Sequence, residues 1–114
     1  MLSPEITPEE FNKLRTASVT NGDDKTPLLL DVREPWEANT ATIAGAVLIP
    51  MGDIPSRVHT ELDPDRPIVV FCHHGMRSLS VTMWLRREGF EHAQSLSGGI
   101  EEWSRKIDPS IPRY

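Results

Sequence analysis

Ile68-Val69-Val70-Phe71 is an apolar, largely β-branched run of strand length, and it ends on Cys72, the only cysteine among 114 residues. A run without polar alternation reads as a strand covered on both faces, the habit of parallel sheets packed between helices. His73-His74-Gly75-Met76 then turns the chain through Arg77 and Ser78 into a helical pattern. A thiol at the carboxyl end of such a strand lies where open α/β sheets bind their ligands. The helix that follows aims its N–H groups and positive dipole end back at it, a field that favours thiolate over thiol.

Two plainer roles compete with this one. A lone cysteine after an apolar run is commonly a small buried hydrophobe. Gly75 frees the loop backbone, Arg77 brings a fixed positive charge, and His73 and His74 stand where a structural cysteine would attract apolar neighbours, so the context argues for a reactive thiol. One Cys beside two His also suggests zinc. Three adjacent residues rarely converge on one ion, however, and no CxxC or HxxxH spacing completes a ligand set, so neither a metal nor a cofactor is expected.

The length suits one domain over residues 1–114, able to bury about two-thirds of its unfolded surface. A single cysteine forms no internal disulfide, Met1-Leu2-Ser3-Pro4-Glu5 has neither a basic nor an apolar leader region, and no segment is long enough to span a bilayer. These features predict a cytoplasmic protein with no membrane partner. The net charge of −5 and the absence of a basic stripe argue against nucleic acid as a partner. Small anions stay compatible, because the local field of a cleft outweighs distant, salt-screened carboxylates. No heptad is present, and a monomer is the expectation.

Along the chain, strand-like and helix-like segments alternate. Thr7-Pro8-Glu9-Glu10 predicts a helix start, with Thr7 as N-cap, Pro8 first and Glu10 closing a capping box; Phe11, Leu14 and Arg15 continue it. Residues 20–25 read as a polar turn, 27–32 as a buried strand, 34–37 as the start of a short helix, 45–50 as a strand, 55–62 as a helix and 63–67 as a loop. After the thiol loop, Leu79, Val81, Met83, Trp84 and Leu85 predict a wide apolar helix face, ended by Gly89, and Met83 and Trp84 read as core. Ala93–Ser97 is a last weak strand. Gly98 and Gly99 then permit close backbone approach at the start of a helix through Ile100, Trp103 and Ser104. The Pro-rich tail from Asp108 reads as irregular, and His59 and His92, in polar surroundings, as solvated surface. The alternation predicts an α/β chain whose parallel sheet carries helices on both faces.

Four segments, in this order and spacing, resemble a single-domain rhodanese: Asp31-Val32-Arg33-Glu34, Gly45-Ala46-Val47-Leu48-Ile49-Pro50, Cys72 to Ser78, and Leu96-Ser97-Gly98-Gly99-Ile100-Glu101-Glu102-Trp103. The Cys-His-His-Gly loop and the closing Asp-Pro-Ser-Ile-Pro-Arg-Tyr are similar to those of rhodanese-related sulfurtransferases, including the C-terminal domain of some adenylyltransferases that activate sulfur-carrier proteins. The resemblance implies a three-layer α/β/α fold on a mostly parallel five-stranded sheet, and a cysteine persulfide as covalent intermediate. One departure is visible: Thr42 stands where many members carry a His, which bears on loop packing more than on sulfur chemistry.

The chemistry also follows from the residues. A Cys72 thiolate attacking the sulfane sulfur of thiosulfate expels sulfite and leaves a persulfide, whose terminal sulfur passes to cyanide, a thiol or a sulfur-carrier protein. Loop amides from His73 through Gly75 and Met76 to Ser78 are the expected anion donors. Arg77 is expected to clamp the small anionic donor and stabilise the thiolate. His73 and His74 are candidates for the mouth, and Ser78 for a helix cap whose hydroxyl reaches the sulfur. Asp31 and Arg33, which the resemblance implies tie loops together, are expected one layer further out. Two rivals share the ground. Dual-specificity phosphatases and arsenate reductases use Cys-x5-Arg, whereas Cys72 to Arg77 is Cys-x4-Arg, a cradle too tight for a phosphoryl group. A non-catalytic rhodanese-like module that binds a partner or senses oxidation through an exposed thiol is the other.

Overall fold

The computed structural model describes residues 2–21 and 26–114, the side chains of 18–21 excepted. The polar turn expected at 20–25 therefore lies largely outside the described residues. In chain order the elements are β1 (Glu5–Ile6), α1 (Pro8–Asn21), β2 (Leu28–Asp31), α2 (Pro35–Thr40), β3 (Val47–Leu48), a single 3₁₀ turn at Met51–Asp53, α3 (Ile54–Glu61), β4 (Ile68–Phe71), α4 (Met76–Arg87), β5 (Ala93–Leu96) and α5 (Gly99–Lys106). None of the described helices is long and apolar enough to cross a membrane.

The helix starts follow their local chemistry. The Thr7 N–H donates to Glu10 Oε1 at 2.9 Å while the Glu10 N–H donates to Thr7 Oγ1 at 3.1 Å, the reciprocal box that opens α1. At α2 the same reciprocity links Glu34 and Glu37 around Pro35. The strands form one sheet in the order β1-β5-β4-β2-β3, with every pair parallel. β1 was not evident in the sequence, being two residues long and held by pairing with Ser95 and Leu96 rather than by any pattern of its own. β3 keeps only Val47 and Leu48 of the expected 45–50.

Two apolar layers explain why β4 carries no polar residue. Ile68 and Val70 pack with Leu30, Ile54 and Val58 of α3, and Val81 and Leu85 of α4. Val69 and Phe71 face the other way, against Phe11 of α1 and Ile100 and Trp103 of α5. Helices thus cover both faces, which is the three-layer α/β/α arrangement expected. Each fully buried side chain such as Leu30 or Phe71, both 0% exposed, contributes about 1.5–3 kcal/mol.

The inward face of α4 differs from the expectation. The buried positions are Ser78, Val81, Thr82 and Leu85, while Met83 faces solvent and Trp84 is half-buried against the core. Spacing of three and four residues sets that stripe, and two of its four places hold small hydroxyl side chains that a search for apolar residues passes over.

Gly98 and Gly99, at φ +76° and +63°, bring the start of α5 against the thiol loop. The amides of Ile100 and Glu101 donate to the carbonyls of Cys72 and His73 at 2.9 and 3.2 Å. A Cβ on Gly99 would meet His73 O and would lie 2.5 Å from Cys72 O. Gly99→Ala is therefore expected to lower stability by about 2 kcal/mol or more, combining a left-handed backbone with a backbone collision, as a fall in the urea midpoint. An unchanged midpoint would remove this approach as a constraint on the loop.

Candidate active site

Cys72 leaves the sheet at the carboxyl end of β4, and its residue is only 1% exposed. The sulfur is therefore recessed within its loop, not exposed on the surface. Gly75 takes φ +110°, so the loop closes tightly enough for the Gly75 N–H to donate to Sγ at 3.1 Å. The Ser78 N–H, in the first turn of α4, donates to Sγ at 3.3 Å. Two amides thus converge on one sulfur, which places negative charge there favourably. The thiol lies 3.4 Å from Ser78 Oγ, which also bonds the Gly75 carbonyl at 3.2 Å and Ser95 Oγ at 2.8 Å.

Ser78 is not the helix cap. Gly75 occupies that place, because the left-handed turn starts α4 at Met76, and the Ser78 hydroxyl is directed inward at the sulfur instead. Met76 itself projects outward at 83% exposure. His74 is exposed, and its ring stacks on His73 at 3.9 Å between centroids. His73 is half-buried and stacks on Tyr114, also at 3.9 Å with the rings 7° from parallel. Burial, and then the neighbouring His74, push the His73 pKa down.

Arg77 does not stand free to meet a ligand. Its guanidinium makes a two-pronged pair with Glu37, at 2.8 Å to Oε1 and 2.9 Å to Oε2. Glu37 Oε1 also accepts the Glu34 N–H at 3.1 Å, and Oε2 accepts the Tyr114 hydroxyl at 2.7 Å. The hydrogen bonds from Arg77 hold the Glu37 carboxyl down to about 2 against its burial, and the Arg77 pKa rises in turn. Burial pushes the Tyr114 hydroxyl up to about 12.

Asp31 and Arg33 make no hydrogen bond to the sulfur and pair with each other at the end of β2. Arg33 is 0% exposed and pairs with Asp31 through Nε at 2.9 Å and NH2 at 2.7 Å. It further donates to the Ala41 carbonyl at 2.8 Å and to Tyr114 Oη at 2.9 Å. The loops they tie are therefore the end of β2, α2 and the C-terminal tail. Glu37, Ser95 and Tyr114 are the site residues that sequence reasoning missed. Tyr114 had a signal, as the only tyrosine in the chain and the last residue of a motif-bearing tail; Glu37 and Ser95 had no more than a capping spacing and a polar place in a strand. Among the described residues, no group of three or more His, Cys, Asp or Glu is arranged to hold a metal ion.

The Glu37 pairing carries a pH signature. A carboxyl lowered from 4.5 to about 2 stabilises the fold above pH 4.5, and that contribution drains away as the pH falls toward 2. The loss expected is about 2–3 kcal/mol over this interval, and Glu37→Gln, which has no such proton to bind, lacks it. Urea unfolding of both proteins between about pH 5 and pH 2 reads the difference. An equal acid loss in the two would take Glu37 out of the account.

A family model described as the Rhodanese-like domain matches residues 8–106. A sulfurtransferase from Allochromatium vinosum is 36% identical over 89 residues, covering 78% of this chain and 82% of that protein. The chloroplastic Rhodanese-like/PpiC domain-containing protein 12 of Arabidopsis thaliana is 38% identical over 89 residues; these are 75% of this chain, and the chain spans only 30% of that protein. Among solved structures, a rhodanese-related protein from Thermoplasma volcanium matches with a TM-score of 0.79 at 25% identity, over 98% of this chain and 100% of that one. With its five-stranded parallel sheet, its sole cysteine at the end of β4 and these relatives, the chain belongs to the rhodanese-like domain family.

Proposed function

We propose that this chain is a sulfurtransferase that moves a sulfane sulfur from thiosulfate or another persulfide donor to a thiophilic acceptor through a persulfide on Cys72. The convergence of the Gly75 and Ser78 amides on Sγ carries the reading. In the first half-reaction the Cys72 thiolate attacks the outer sulfur of thiosulfate. A new S–S bond forms, the bond to the sulfonate breaks, and sulfite leaves with the electron pair. In the second half-reaction cyanide, a thiol or a sulfur-carrier protein takes the terminal sulfur and returns the thiolate.

The positions of the side chains support a role for each. The two amides and the Ser78 hydroxyl hold the sulfur and the atom added to it, and Ser95 orients that hydroxyl. Arg77 sets the charge at the entrance, with Asp31 and Arg33 bracing the loops behind it. His73, His74 and Met76 form the edge that a donor or acceptor passes. Burial of Cys72 favours a slender sulfur end over a tetrahedral phosphoryl group, in keeping with the short Cys-x4-Arg loop.

Because Cys72 is the sole thiol, intact mass after exposure to thiosulfate is expected to rise by one sulfur, about 32 Da, and to fall back on adding cyanide. An unchanged mass with folded protein would sink the reading. Cys72→Ser abolishes transfer while leaving the thermal melt of the domain in place, since the side chain is kept for reactivity. Arg77→Ala leaves the Glu37 carboxylate uncovered at the entrance and raises the KM for thiosulfate about tenfold; an unaltered KM removes Arg77 from the site.

A further inference from the structure

The charges around the sulfur are matched one for one. Arg33 pairs with Asp31, Arg77 with Glu37, and Arg113 with Glu101 at 2.9 Å. Among the described residues of this network, no arginine is left without a carboxylate. The groups that touch Sγ are neutral: two amides and a hydroxyl. His73, pushed toward its neutral form by burial, adds no fixed charge. The chain as a whole carries −5. Partial charges of this kind suit a thiolate or a thiol persulfide, whereas a sulfonate dianion needs a full counter-charge in the same space.

The Arg77 guanidinium is the one permanently charged group on the thiol loop itself, and it is held bidentately by a carboxylate whose side chain is 5% exposed. That carboxylate is in turn fixed by the Glu34 amide and the Tyr114 hydroxyl, so the pair is built in rather than a chance meeting of two surface chains. We propose that Glu37 is a specificity-determining residue: by occupying Arg77 with its own carboxylate, it biases the Cys72 cradle toward thiol persulfides and against dianionic donors such as thiosulfate. The inference rests on the persulfide reading of Cys72. With a thiol persulfide the Cys72 thiolate attacks the outer sulfur, one S–S bond forms as another breaks, and the donor leaves as its thiolate with the electron pair. No net oxidation occurs, and the reacting end of a thiol persulfide, entering as neutral –S–SH with any carboxylates several bonds away, brings no charge of its own beside the thiolate, whereas the sulfonate of thiosulfate is bonded directly to the sulfur under attack.

The test compares kcat/KM for glutathione persulfide and for thiosulfate, with cyanide as acceptor, in the full chain and in Glu37→Gln. The unmodified chain is expected to favour glutathione persulfide by about tenfold or more, and Glu37→Gln to shift that ratio toward thiosulfate by about fivefold or more. A general loss of fold lowers both donors together and leaves the ratio alone, so the ratio reports selectivity. An unmodified chain that favours thiosulfate, or a ratio unmoved by Glu37→Gln, overturns the role of Glu37. Should that variant fail to fold, Glu37→Asp, whose shorter carboxylate loosens the two-pronged grip on Arg77, takes its place and is expected to move the ratio in the same direction; an unmoved ratio overturns the role of Glu37. Absence of sulfur on Cys72 from both donors, read by intact mass, instead overturns the persulfide reading and this inference with it; sulfur loaded from both with no selectivity overturns only the inference.

Discussion

Strand β4 has no solvent side, and the rest of the molecule is arranged around that constraint. Its four residues divide between two apolar layers, so α3 and α4 must cover one face and α1 and α5 the other. With β2 on one flank and β5 on the other, the end of β4 is bordered by Asp31 and Arg33 from the first and by Gly98 and Gly99 from the second. Cys72 is the residue at which the chain leaves this central strand. Its loop is then confined between the first turn of α4, which supplies the amide of Ser78, and the first turn of α5, whose amides take up the carbonyls of Cys72 and His73.

Arg33 is the polar counterpart of that strand. A fully buried guanidinium costs several kcal/mol unless its charge and donors are met. Asp31, the carbonyls of Glu37 and Ala41, and the hydroxyl of Tyr114 meet them here. Satisfying one buried cation therefore draws β2, α2 and the C-terminal tail together. The tail is irregular, as its prolines imply, yet Ile111 packs in the core and Tyr114 lies flat on His73. The stack and the shared Glu37 carboxylate then connect this brace to both sides of the thiol loop.

Much of this was legible because its causes are local. Uninterrupted apolar runs identify β2 and β4, the Thr7–Glu10 and Glu34–Glu37 spacings start helices, and paired glycines before Ile100 mark a close approach. The nucleophile was visible for the same reason, since a strand, a glycine loop and a helix are consecutive in the chain. Met83 was misplaced because periodicity shows that a helix has an inward stripe without showing which of two neighbouring stripes faces the sheet.

What the sequence determined by itself was an α/β layering with Cys72 at the end of a doubly covered strand, because burial pattern and turn chemistry act over a few residues. What only the tertiary structure decided was the charge of the site. Glu37 and Arg77 are 40 positions apart, Arg33 and Tyr114 are 81, and Ser78 and Ser95 are 17. Whether an arginine offers its charge to a ligand or spends it on a neighbouring carboxylate depends on which distant side chains arrive beside it, and no local pattern records that meeting.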